Sequence, residues 1–451
     1  MGRDQPRSDW KTALARVEIG RSNQPFVLYG LRGVGKTVLL SDFRREAQSQ
    51  DWIVTQVEAG AGKSLRESLG EALHAPLADL ARPTAGRRLV KALKTALSFK
   101  ASYDSTGAWN FGLDLSESVG GGADTGVLET DLRKLIQDLA AAAEEEGVGL
   151  AVLIDEAQDL SPAELVAICA IAHAASQDNW RVLFALAGLP SLPRVLAEAK
   201  SYAERFNYEK IEELRGPAAA EALAKPAAED GVNWEQEAIE LIVNESAGYP
   251  YFLQQFGQDT WNEATGVTIT YSDARVGAAT GRAALDSGFF RARWDRGARA
   301  EQAYMRAMAE DGDNGSSSGE IATRLGRTAA SFGPTRANLI SKGLIYAPEH
   351  GIVAFTVPEM AAFILRQPTA SESSDDRWKS PGSGSRPPAP GPGTVEGLRQ
   401  CRNGPCCARI AAWSCFREKT CNHYASRQCS TGRTSARQRA FFRRGRTATT
   451  S

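Results

Sequence analysis

Cysteine and long apolar runs are scarce in this 451-residue sequence. The first 400 residues contain one cysteine, Cys169, inside the apolar segment LVAICAIAHAA. A lone cysteine argues against a disulfide-stabilised scaffold and predicts a reduced, cytoplasmic setting in which the thiol packs as a small apolar group. No apolar run reaches the roughly 18–20 residues that a membrane-spanning helix needs, so we expect no membrane contact. The segment MGRDQPRSDWK also lacks the apolar stretch of a signal peptide, and Pro6 does not fit a myristoylation signal.

The net charge of −1 conceals an uneven distribution of charge along the chain. Residues 371–451 hold 15 Lys and Arg against 5 Asp and Glu, whereas residues 1–370 hold 38 against 49. The acidic body argues against a general nucleic-acid-coating role. The segment 369–451 is rich in Pro, Gly and Ser, and it cannot bury enough apolar surface to offset the entropy of ordering. We therefore predict a disordered, basic, low-complexity tail.

Six cysteines lie in this tail, between residues 401 and 429. They are separated by 4, 0, 7, 5 and 7 residues, without a Cys-x-x-Cys pair. Structural zinc sites bring their ligands in closely spaced pairs, so the spacing disfavours metal binding. Two interpretations remain: a basic arm that binds nucleic acid loosely, or an extension without a selected role.

Strand-like and helix-like stretches alternate over the first 215 residues. Short apolar runs predict strands at 25–29, 52–59, 149–158 and 180–188, with amphipathic helices between them. A partly alternating segment at 98–116 predicts a hairpin. Strands that alternate with helices indicate parallel β-α-β units, so the predicted fold class is α/β with a doubly wound parallel sheet.

Helical patterns dominate the rest of the body. Three short amphipathic stretches over 216–288 predict a small helical domain. The pattern over 289–368 predicts three helices, then a two-stranded hairpin at 345–355 and a closing helix. We therefore expect two smaller units between the α/β domain and the tail.

The segment GLRGVGKT at 30–37 follows a predicted strand, precedes a predicted helix and ends in Gly-Lys-Thr. This is the pattern of a phosphate-binding loop. Glycines let the backbone wrap closely around a phosphate with its N–H groups pointing inward, and the helix N-terminus attracts the same anion. Lys36 is predicted to reach the β- and γ-phosphates, and the Thr37 hydroxyl to bind Mg²⁺. The predicted nucleotide-binding residues are Gly30, Leu31, Arg32, Gly33, Val34, Gly35, Lys36, Thr37 and Val38.

A second segment, AGAGKS at 59–64, shares the ending but not the spacing. Counting back five residues from Gly62 gives Val57, inside a predicted strand, instead of a glycine. This spacing favours a flexible loop that joins a strand to a helix. Lys63 is then a solvated side chain.

The segment LAVLIDEAQDL at 150–160 delivers Asp155 and Glu156 at the end of a buried strand. Ligands of open α/β sheets bind at the carboxyl ends of strands. We predict that Asp155 holds Mg²⁺ and that Glu156 activates the attacking water as a general base, an effect worth roughly 10²–10⁴-fold. The acidic pair could instead cap the following helix, but its pairing with the loop at 30–37 favours catalysis. That pairing also argues against nucleotide kinases and GTPase switches, and the lack of an LSGGQ-like segment disfavours transporter ATPases.

Five segments, GLRGVGKTVLL, VLIDEAQ, ALAGLPSL, KSYAERF and AGYPYFL, resemble in order those of bacterial ATPases of the AAA+ superfamily. Those ATPases are related to archaeal ATPases, to origin-recognition-type replication initiators and to STAND-type signalling NTPases. The resemblance covers about 10–367 and is specific in the first two segments, the Walker A and Walker B motifs. It implies a P-loop ATPase core (1–215), a helical lid (216–288) and a C-terminal winged helix (289–368).

The resemblance also assigns roles to two residues of the weaker segments. Arg205 lies where related proteins carry an arginine that contacts ATP, often the ATP of a neighbouring subunit, which implies self-association through the core. A surface arginine or a salt bridge to Glu204 is the alternative. Pro250 belongs to a turn that the resemblance places in the lid, near the adenine.

Two departures from the family pattern concern nucleotide sensing. Ala187 and Gly188 end the strand that carries a polar, γ-phosphate-sensing residue in related proteins, and Ser191 is the nearest hydroxyl. No arginine follows GYPYFL, where replication initiators carry a second sensor. These departures favour slow ATP hydrolysis to ADP and phosphate, used as a switch, over a fast motor.

The target of the predicted winged helix stays open. The third helix of such domains commonly enters the major groove of double-stranded DNA. Residues 291–370 carry 10 basic against 8 acidic side chains, which is a small excess of positive charge for a DNA-binding unit. DNA binding, docking of a protein partner and a purely structural role are all compatible with the sequence. The candidate DNA contacts are Arg324, Arg327, Arg336, Lys342, Ser331, Thr335 and Asn338.

Overall fold

A five-stranded parallel sheet forms the centre of the protein, whose computed structural model describes residues 2–60, 62–81, 86–101 and 121–368. Its strands are β1 (Phe26–Tyr29), β2 (Ile53–Glu58), β3 (Leu150–Asp155), β4 (Val182–Gly188) and β5 (Asn207–Lys210). They lie in the order β2-β3-β4-β1-β5, and every neighbouring pair is parallel. All carboxyl ends therefore meet at one edge, where loops can gather around a ligand.

Helices cover both faces of this sheet. The helices are α1 (Asp4–Glu18), α2 (Lys36–Gln48), α3 (Leu65–Leu80), α4 (Arg87–Ala101), α5 (Leu128–Glu145), α6 (Pro162–Gln177) and α7 (Leu192–Ala199). Alternate residues of β3 point to opposite faces: Leu153 packs with α1 and α2, and Val152 packs with α3 to α7. Because both faces are covered, the strands β1, β3 and β4 are apolar almost throughout. The predicted α/β doubly wound class is confirmed.

Three elements of this core were not predicted from the sequence. The edge strand β5 has the polar sequence NYEK, which lacks the apolar run of a buried strand. The helix α1 was overlooked, and α4 includes the first four residues of the hairpin predicted at 98–116. The rest of that predicted hairpin lies outside the described residues.

Four helices, not the predicted three, follow the sheet: α8 (Pro217–Glu229), α9 (Gln236–Ser246), α10 (Pro250–Glu263) and α11 (Tyr271–Ala284). Two short strands, β6 (Asn233–Trp234) and β7 (Thr268–Ile269), pair beside them. The sequence of α11 hides its packing because glycine supplies part of its contact face. A Cβ on Gly277 would lie 2.3 Å from the Thr260 Cα, so only glycine permits this close approach of α11 to α10.

The remaining elements form a C-terminal unit of helices and a small antiparallel sheet. The helices are α12 (Arg291–Asp295), α13 (Arg299–Ala309), α14 (Ser318–Arg324), α15 (Gly333–Ser341) and α16 (Met360–Leu365). The strands β8 (Ser316–Ser317), β9 (Ile345–Tyr346) and β10 (Ile352–Phe355) lie in the order β8-β10-β9. This arrangement is compatible with a winged helix, in which β8 adds a third strand to the predicted hairpin.

No break separates this unit from the preceding helices. The backbone stays helical from Tyr271 through a π-helical turn at Leu285–Phe290 into α12, so the predicted boundary at 288/289 falls inside a helix. All described elements belong to one compact unit, Met1–Ser383. The tail predicted at 369–451, with its six cysteines, lies outside the described residues.

Cys169 is a buried free thiol on α6, and burial raises its pKa to about 11. A thiol with so high a pKa is a packing group without nucleophilic reactivity at neutral pH. Throughout the described ranges we found no helix with the length and apolarity to span a bilayer.

Candidate nucleotide-binding site

The loop 30–37 joins the carboxyl end of β1 to the first turn of α2. Gly33 and Gly35 adopt φ of 87° and 97°, in the left-handed region that favours glycine. Gly30 needs its missing side chain for another reason, because a Cβ there would lie 2.1 Å from the Ile211 carbonyl oxygen. The glycines thus allow the tight course of a phosphate-binding loop.

Lys36 lies inside this loop with only 6% of its surface exposed. Its Nζ donates hydrogen bonds to the carbonyl oxygens of Gly30, at 2.9 Å, and Leu31, at 2.8 Å. Burial lowers the pKa of Lys36 to about 8, although the nearby carboxylates of Glu156 and Asp155 oppose the shift. An anion bound in the loop would meet a partly desolvated ammonium group, whose attraction is stronger than in water.

Asp155 and Thr37 form the second part of the site. Asp155 ends β3, is 7% exposed, and accepts a hydrogen bond from the Glu156 backbone N–H at 2.9 Å. Burial raises the pKa of Asp155, and a hydrogen bond with the Thr37 side chain acts in the opposite direction. A hydroxyl and a carboxylate side by side are oxygen ligands of the kind that Mg²⁺ prefers, so these residues fit a magnesium ion beside a bound phosphate.

Glu156 follows Asp155 with φ of 47°, a left-handed conformation that is costly for a side chain with a Cβ. Its Oε2 accepts a hydrogen bond from Gln158 Nε2 at 2.7 Å, and its Oε1 lies 3.7 Å from Arg32 Nη1. Neither acid caps the following helix, because Ser161 caps α6 in a reciprocal capping box with Glu164. The geometry therefore favours a site role for the acidic pair over a helix cap.

The turn between α9 and α10 faces the loop. A Cβ on Gly33 would lie 3.0 Å from the Tyr249 hydroxyl and 3.1 Å from the Tyr251 Cβ. Gly248 has φ of 69°, and a Cβ there would lie 2.0 Å from the Leu214 carbonyl oxygen. Pro250 begins α10 directly after Tyr249. The predicted lid turn is thus adjacent to the loop, as the assignment of Pro250 requires.

Two predicted site residues do not join this cluster. Arg205 is exposed and precedes β5, whose first residue pairs with Phe26 at the amino end of β1. It therefore lies toward the edge opposite the loop, and its contact with ATP stays a prediction that needs a neighbouring subunit. Val38 is on α2 with 42% of its surface exposed.

The segment AGAGKS has the structural role that its spacing predicts. Lys63 Nζ lies 2.6 Å from Glu71 Oε2 at the surface. Ser64 caps α3 and forms a capping box with Glu67. Lys63 and Ser64 thus lead into α3 and lie away from the phosphate-binding loop, whereas Ala59 and Gly60 line the cleft beside Glu156.

Three side chains of the site were not anticipated from the sequence. Arg3, the residue before α1, donates from its Nη2 to the Val34 carbonyl oxygen at 3.1 Å and so supports the loop. The Arg293 guanidinium lies 3.7 Å from the centroid of the Phe289 ring. Burial lowers the pKa of Arg293 to about 10, and the positive charge of Arg32 acts in the same direction. Gln158 holds Glu156. Only Gln158 had a sequence signal, because it stands two residues beyond the acid within the motif itself.

The C-terminal unit contacts the loop directly. The Arg32 backbone N–H donates to the Thr356 carbonyl oxygen at 3.0 Å. A Cβ on Gly343 would lie 2.8 Å from Arg32 Nη2, and Arg194 Nη2 donates to the Ala347 carbonyl oxygen at 3.4 Å. Between these contacts a cleft of about 370 Å³ opens beside Glu156. Its charged lining residues include Arg32, Glu58, Glu156, Asp159, Arg194, Arg296 and Lys342.

A glycine-lysine loop at the end of one parallel strand, with an acidic pair ending another, defines a P-loop nucleoside triphosphatase. A family model described as an AAA ATPase domain matches residues 1–185, so this part of the chain is similar to AAA ATPase domains. A second model, described as a domain of unknown function (DUF8462), matches residues 287–364 and nearly coincides with the predicted third domain.

Three solved structures are similar to this chain to different degrees. The Walker-type ATPase PABY2304 of Pyrococcus abyssi is 17% identical with a TM-score of 0.50, and the match covers 80% of this chain and 95% of that one. The RuvB Holliday junction branch migration motor of Thermotoga maritima is 14% identical (TM-score 0.40; 78% and 92% covered). The Orc1 protein of Aeropyrum pernix, in complex with DNA, is 15% identical (TM-score 0.37; 83% and 94% covered). The first likeness supports the fold alone, and the other two are too distant to bear on function. No curated protein matches the sequence.

Proposed function

We propose that this protein binds ATP with Mg²⁺ in the loop 30–37, hydrolyses it slowly to ADP and phosphate, and uses the bound nucleotide as a conformational switch. The convergence of Lys36, Thr37, Asp155 and Glu156 at the carboxyl edge of the sheet carries this proposal. Lys36 and the loop N–H groups hold the phosphates, and the Glu156 carboxylate accepts the proton of the attacking water. Thr37 and Asp155 would hold Mg²⁺, which neutralises phosphate charge.

The surroundings of Glu156 support slow turnover. One of its carboxylate oxygens, Oε1, lies 3.7 Å from the Arg32 Nη1. A base that is paired with a cation is less available to a water proton, because the ion pair must loosen before proton transfer. The pairing with Arg32 therefore slows catalysis until the loop or its neighbours move.

The contact between the C-terminal unit and the loop supports a switch. Arg32 touches Glu156 through its side chain and Thr356 through its backbone. A nucleotide that recruits the loop N–H groups acts on the same residue that holds the C-terminal unit in place. ATP and this docked unit are thereby linked through Arg32, and a ligand shifts such an equilibrium by its differential affinity for the two states.

Protein docking is favoured over DNA as the task of the C-terminal unit. Two of the four basic candidates are engaged inside the unit: Arg324 pairs with Asp311, and Lys342 Nζ lies 2.5 Å from Glu301 Oε2. The end of α15 also lines the cleft against the ATPase core. Duplex DNA that binds the full chain, with an affinity that falls steeply as salt rises, would favour DNA instead.

We also propose a cytoplasmic setting, in keeping with the buried reduced thiol of Cys169, and self-association through the ATPase core. Exposed Arg205 would then contact the nucleotide of a neighbouring subunit. Sedimentation of the full chain with and without ATP tests the association, and replacement of Arg205 by alanine should slow turnover only under conditions in which the chain associates.

A thermal unfolding experiment tests ATP binding. ATP with Mg²⁺ at a hundredfold excess over Kd should stabilise the wild-type chain by about 2.7 kcal/mol. The Lys36→Ala variant should lose this shift, because it removes the ammonium group inside the loop. Lys63→Ala is the matched control, since Lys63 also follows a glycine but pairs with Glu71 at the surface. An equal shift in the wild type and in Lys36→Ala would refute the assignment.

A further inference from the structure

The side-chain amide of Gln158 lies between the end of β4 and the carboxylate of Glu156. Its Oε1 accepts a hydrogen bond from the Leu189 backbone N–H at 2.8 Å, and its Nε2 donates to Glu156 Oε2 at 2.7 Å. The Leu189 N–H can only donate and an ionised carboxylate can only accept, so the two partners fix the direction of the amide. A reversed amide would place two donors together on one side and two acceptors on the other.

Gly188 makes room for this amide. A Cβ on Gly188 would lie 2.5 Å from Gln158 Oε1, so a side chain at that position would push the amide out of its present place. Ala187, Gly188 and Leu189 carry no polar side chain at this end of β4. Gln158 therefore brings the side-chain amide to the end of β4 from the neighbouring turn, a 3₁₀ turn at Ala157–Asp159.

Glu156 has two side-chain neighbours, Gln158 and Arg32, that restrain its carboxylate. It stands between a strand and a 3₁₀ turn, in a left-handed conformation, and Arg32 is 3.7 Å away on its other side. The bond from Gln158 is shorter by 1.0 Å than the approach of Arg32. It is also anchored at its far end to a backbone N–H of the sheet edge, which moves less than a long side chain.

We propose that Gln158 is the positioning residue of Glu156: its amide, anchored on Leu189, sets the direction in which the carboxylate faces the attacking water. This inference rests on the proposed role of Glu156 as the general base. Gln158 itself touches neither water nor phosphate in this role. A misplacement of about 1 Å in a catalytic group lowers turnover by up to about a hundredfold, so loss of the amide donor should affect kcat.

A purely structural tie between the 3₁₀ turn and β4 is the competing explanation, and one substitution separates the two. Gln158→Glu keeps an oxygen for the Leu189 N–H but replaces the Nε2 donor by an oxygen that repels Glu156. A structural tie would survive this change, whereas the positioning role would not. Gln158→Ala removes both contacts and serves as the second variant if the glutamate is poorly tolerated.

The experiment measures steady-state ATP turnover by the full chain with Mg²⁺. For both Gln158 variants we expect kcat to fall about tenfold or more, with KM for ATP within about twofold of the wild type. The ATP-induced shift in unfolding temperature should persist. Gln236→Ala is the matched control, because Gln236 Nε2 donates to Glu240 Oε1 at 2.8 Å on the exposed surface of α9. Its kcat should equal that of the wild type.

A double-mutant cycle tests whether Gln158 acts through Glu156. Glu156→Gln alone should bind ATP and turn it over slowly, and adding Gln158→Ala should lower kcat no further. An unchanged kcat in both Gln158 variants overturns the inference. So does a rise in KM alone, or an additional loss in the Glu156→Gln background as large as in the wild type.

The inference and the proposed function fail in distinguishable ways. If Glu156→Gln lowers turnover and the Gln158 variants do not, only the inference falls. If the wild-type chain shows no turnover that depends on Glu156, the proposed base falls and the inference falls with it.

Discussion

Lys36 carries a buried ammonium group, and its surroundings act on its pKa in opposite directions. Desolvation disfavours the charged form and lowers its pKa to about 8, while Glu156 and Asp155 favour it. A bound triphosphate adds negative charge at the same place. The protonated lysine is therefore favoured more strongly in the nucleotide complex than in the free protein.

This difference predicts that ATP binding takes up a proton in alkaline solution. In the free protein Lys36 loses its proton above about pH 8, whereas the phosphates keep it protonated in the complex. The complex then holds more protons between about pH 8 and the unperturbed lysine value of about 10.4, so affinity falls as pH rises through that window. Calorimetric titration in two buffers with different ionisation enthalpies at pH 9 measures the uptake.

The control for this measurement is Lys63→Ala, because Lys63 pairs with Glu71 away from the loop. Its proton uptake should match that of the wild type. ATP binding at pH 9 without proton uptake would mean that Lys36 is already fully charged in the free protein. It would also mean that its burial costs less than we infer.

Individual site residues were predictable where backbone chemistry fixes their spacing. A loop that wraps a phosphate needs glycines at set intervals before its lysine, so Gly30 and Lys36 could be found by counting. The support from Arg3 could not, because its contact with Val34 joins segments 31 positions apart in the sequence. Arg293 was missed for the same reason, because Arg32, whose charge acts on it, stands 261 positions earlier in the sequence.

At the scale of elements, the turn after α9 depends on Gly248 for two reasons. Gly248 has φ of 69°, and a Cβ there would lie 2.0 Å from the Leu214 carbonyl oxygen. The Leu214 N–H also donates to the Gly248 carbonyl oxygen at 2.8 Å. These contacts join the segment after β5 to the turn that carries Tyr249 and Pro250 toward the loop.

We predict that Gly248→Ala destabilises the protein and weakens ATP binding. The left-handed backbone alone costs a Cβ-bearing residue roughly 1–2 kcal/mol, and the clash with Leu214 forces the turn to move as well. Displacement of the turn shifts Tyr249 away from Gly33. Thermal unfolding with and without ATP and Mg²⁺ measures both effects.

Gly231→Ala is the matched control for this prediction. Gly231 has φ of 74° after α8, but nothing lies within 4 Å of the Cβ that would be added. It should show the backbone cost without the clash and should bind ATP normally. Equal destabilisation in the two variants, with ATP binding kept in both, would show that the contact with Leu214 does not hold the turn in place.

Elements were predictable where burial imposes a strong pattern. Parallel strands covered on both faces are apolar runs, so β1 to β4 were predicted close to their observed bounds. The strand β5 is partly buried or exposed along its whole length, and its polar sequence NYEK gave no such run. The helix α11 was not predicted for a different reason: close packing through Gly277 replaces the large apolar residues that mark an amphipathic face.

At the scale of the whole molecule, the succession of a strand-rich region and helical regions was predictable, but the contacts between them were not. Periodicity distinguishes a strand-rich region from a helical one, yet it says nothing about which surfaces meet. The contacts of Arg32 with Glu156 and Thr356 join three distant segments, and only the folded chain brings them together. The function proposed for the C-terminal unit depends on this long-range contact.

The proposed switch predicts that nucleotide loosens the contact between the C-terminal unit and the loop. The Arg32 N–H that donates to Thr356 belongs to the loop that ATP would occupy, so ATP binding should compete with docking of the C-terminal unit.

Hydrogen exchange of the full chain, with and without a non-hydrolysable ATP analogue and Mg²⁺, should show slower exchange at 30–37 and faster exchange at 343–357. Lys36→Ala should show neither change, and α14, whose Arg324 pairs with Asp311 inside the unit, should be unaffected. Slower exchange of both segments would mean that nucleotide tightens the docking, and the switch would then work in the opposite direction.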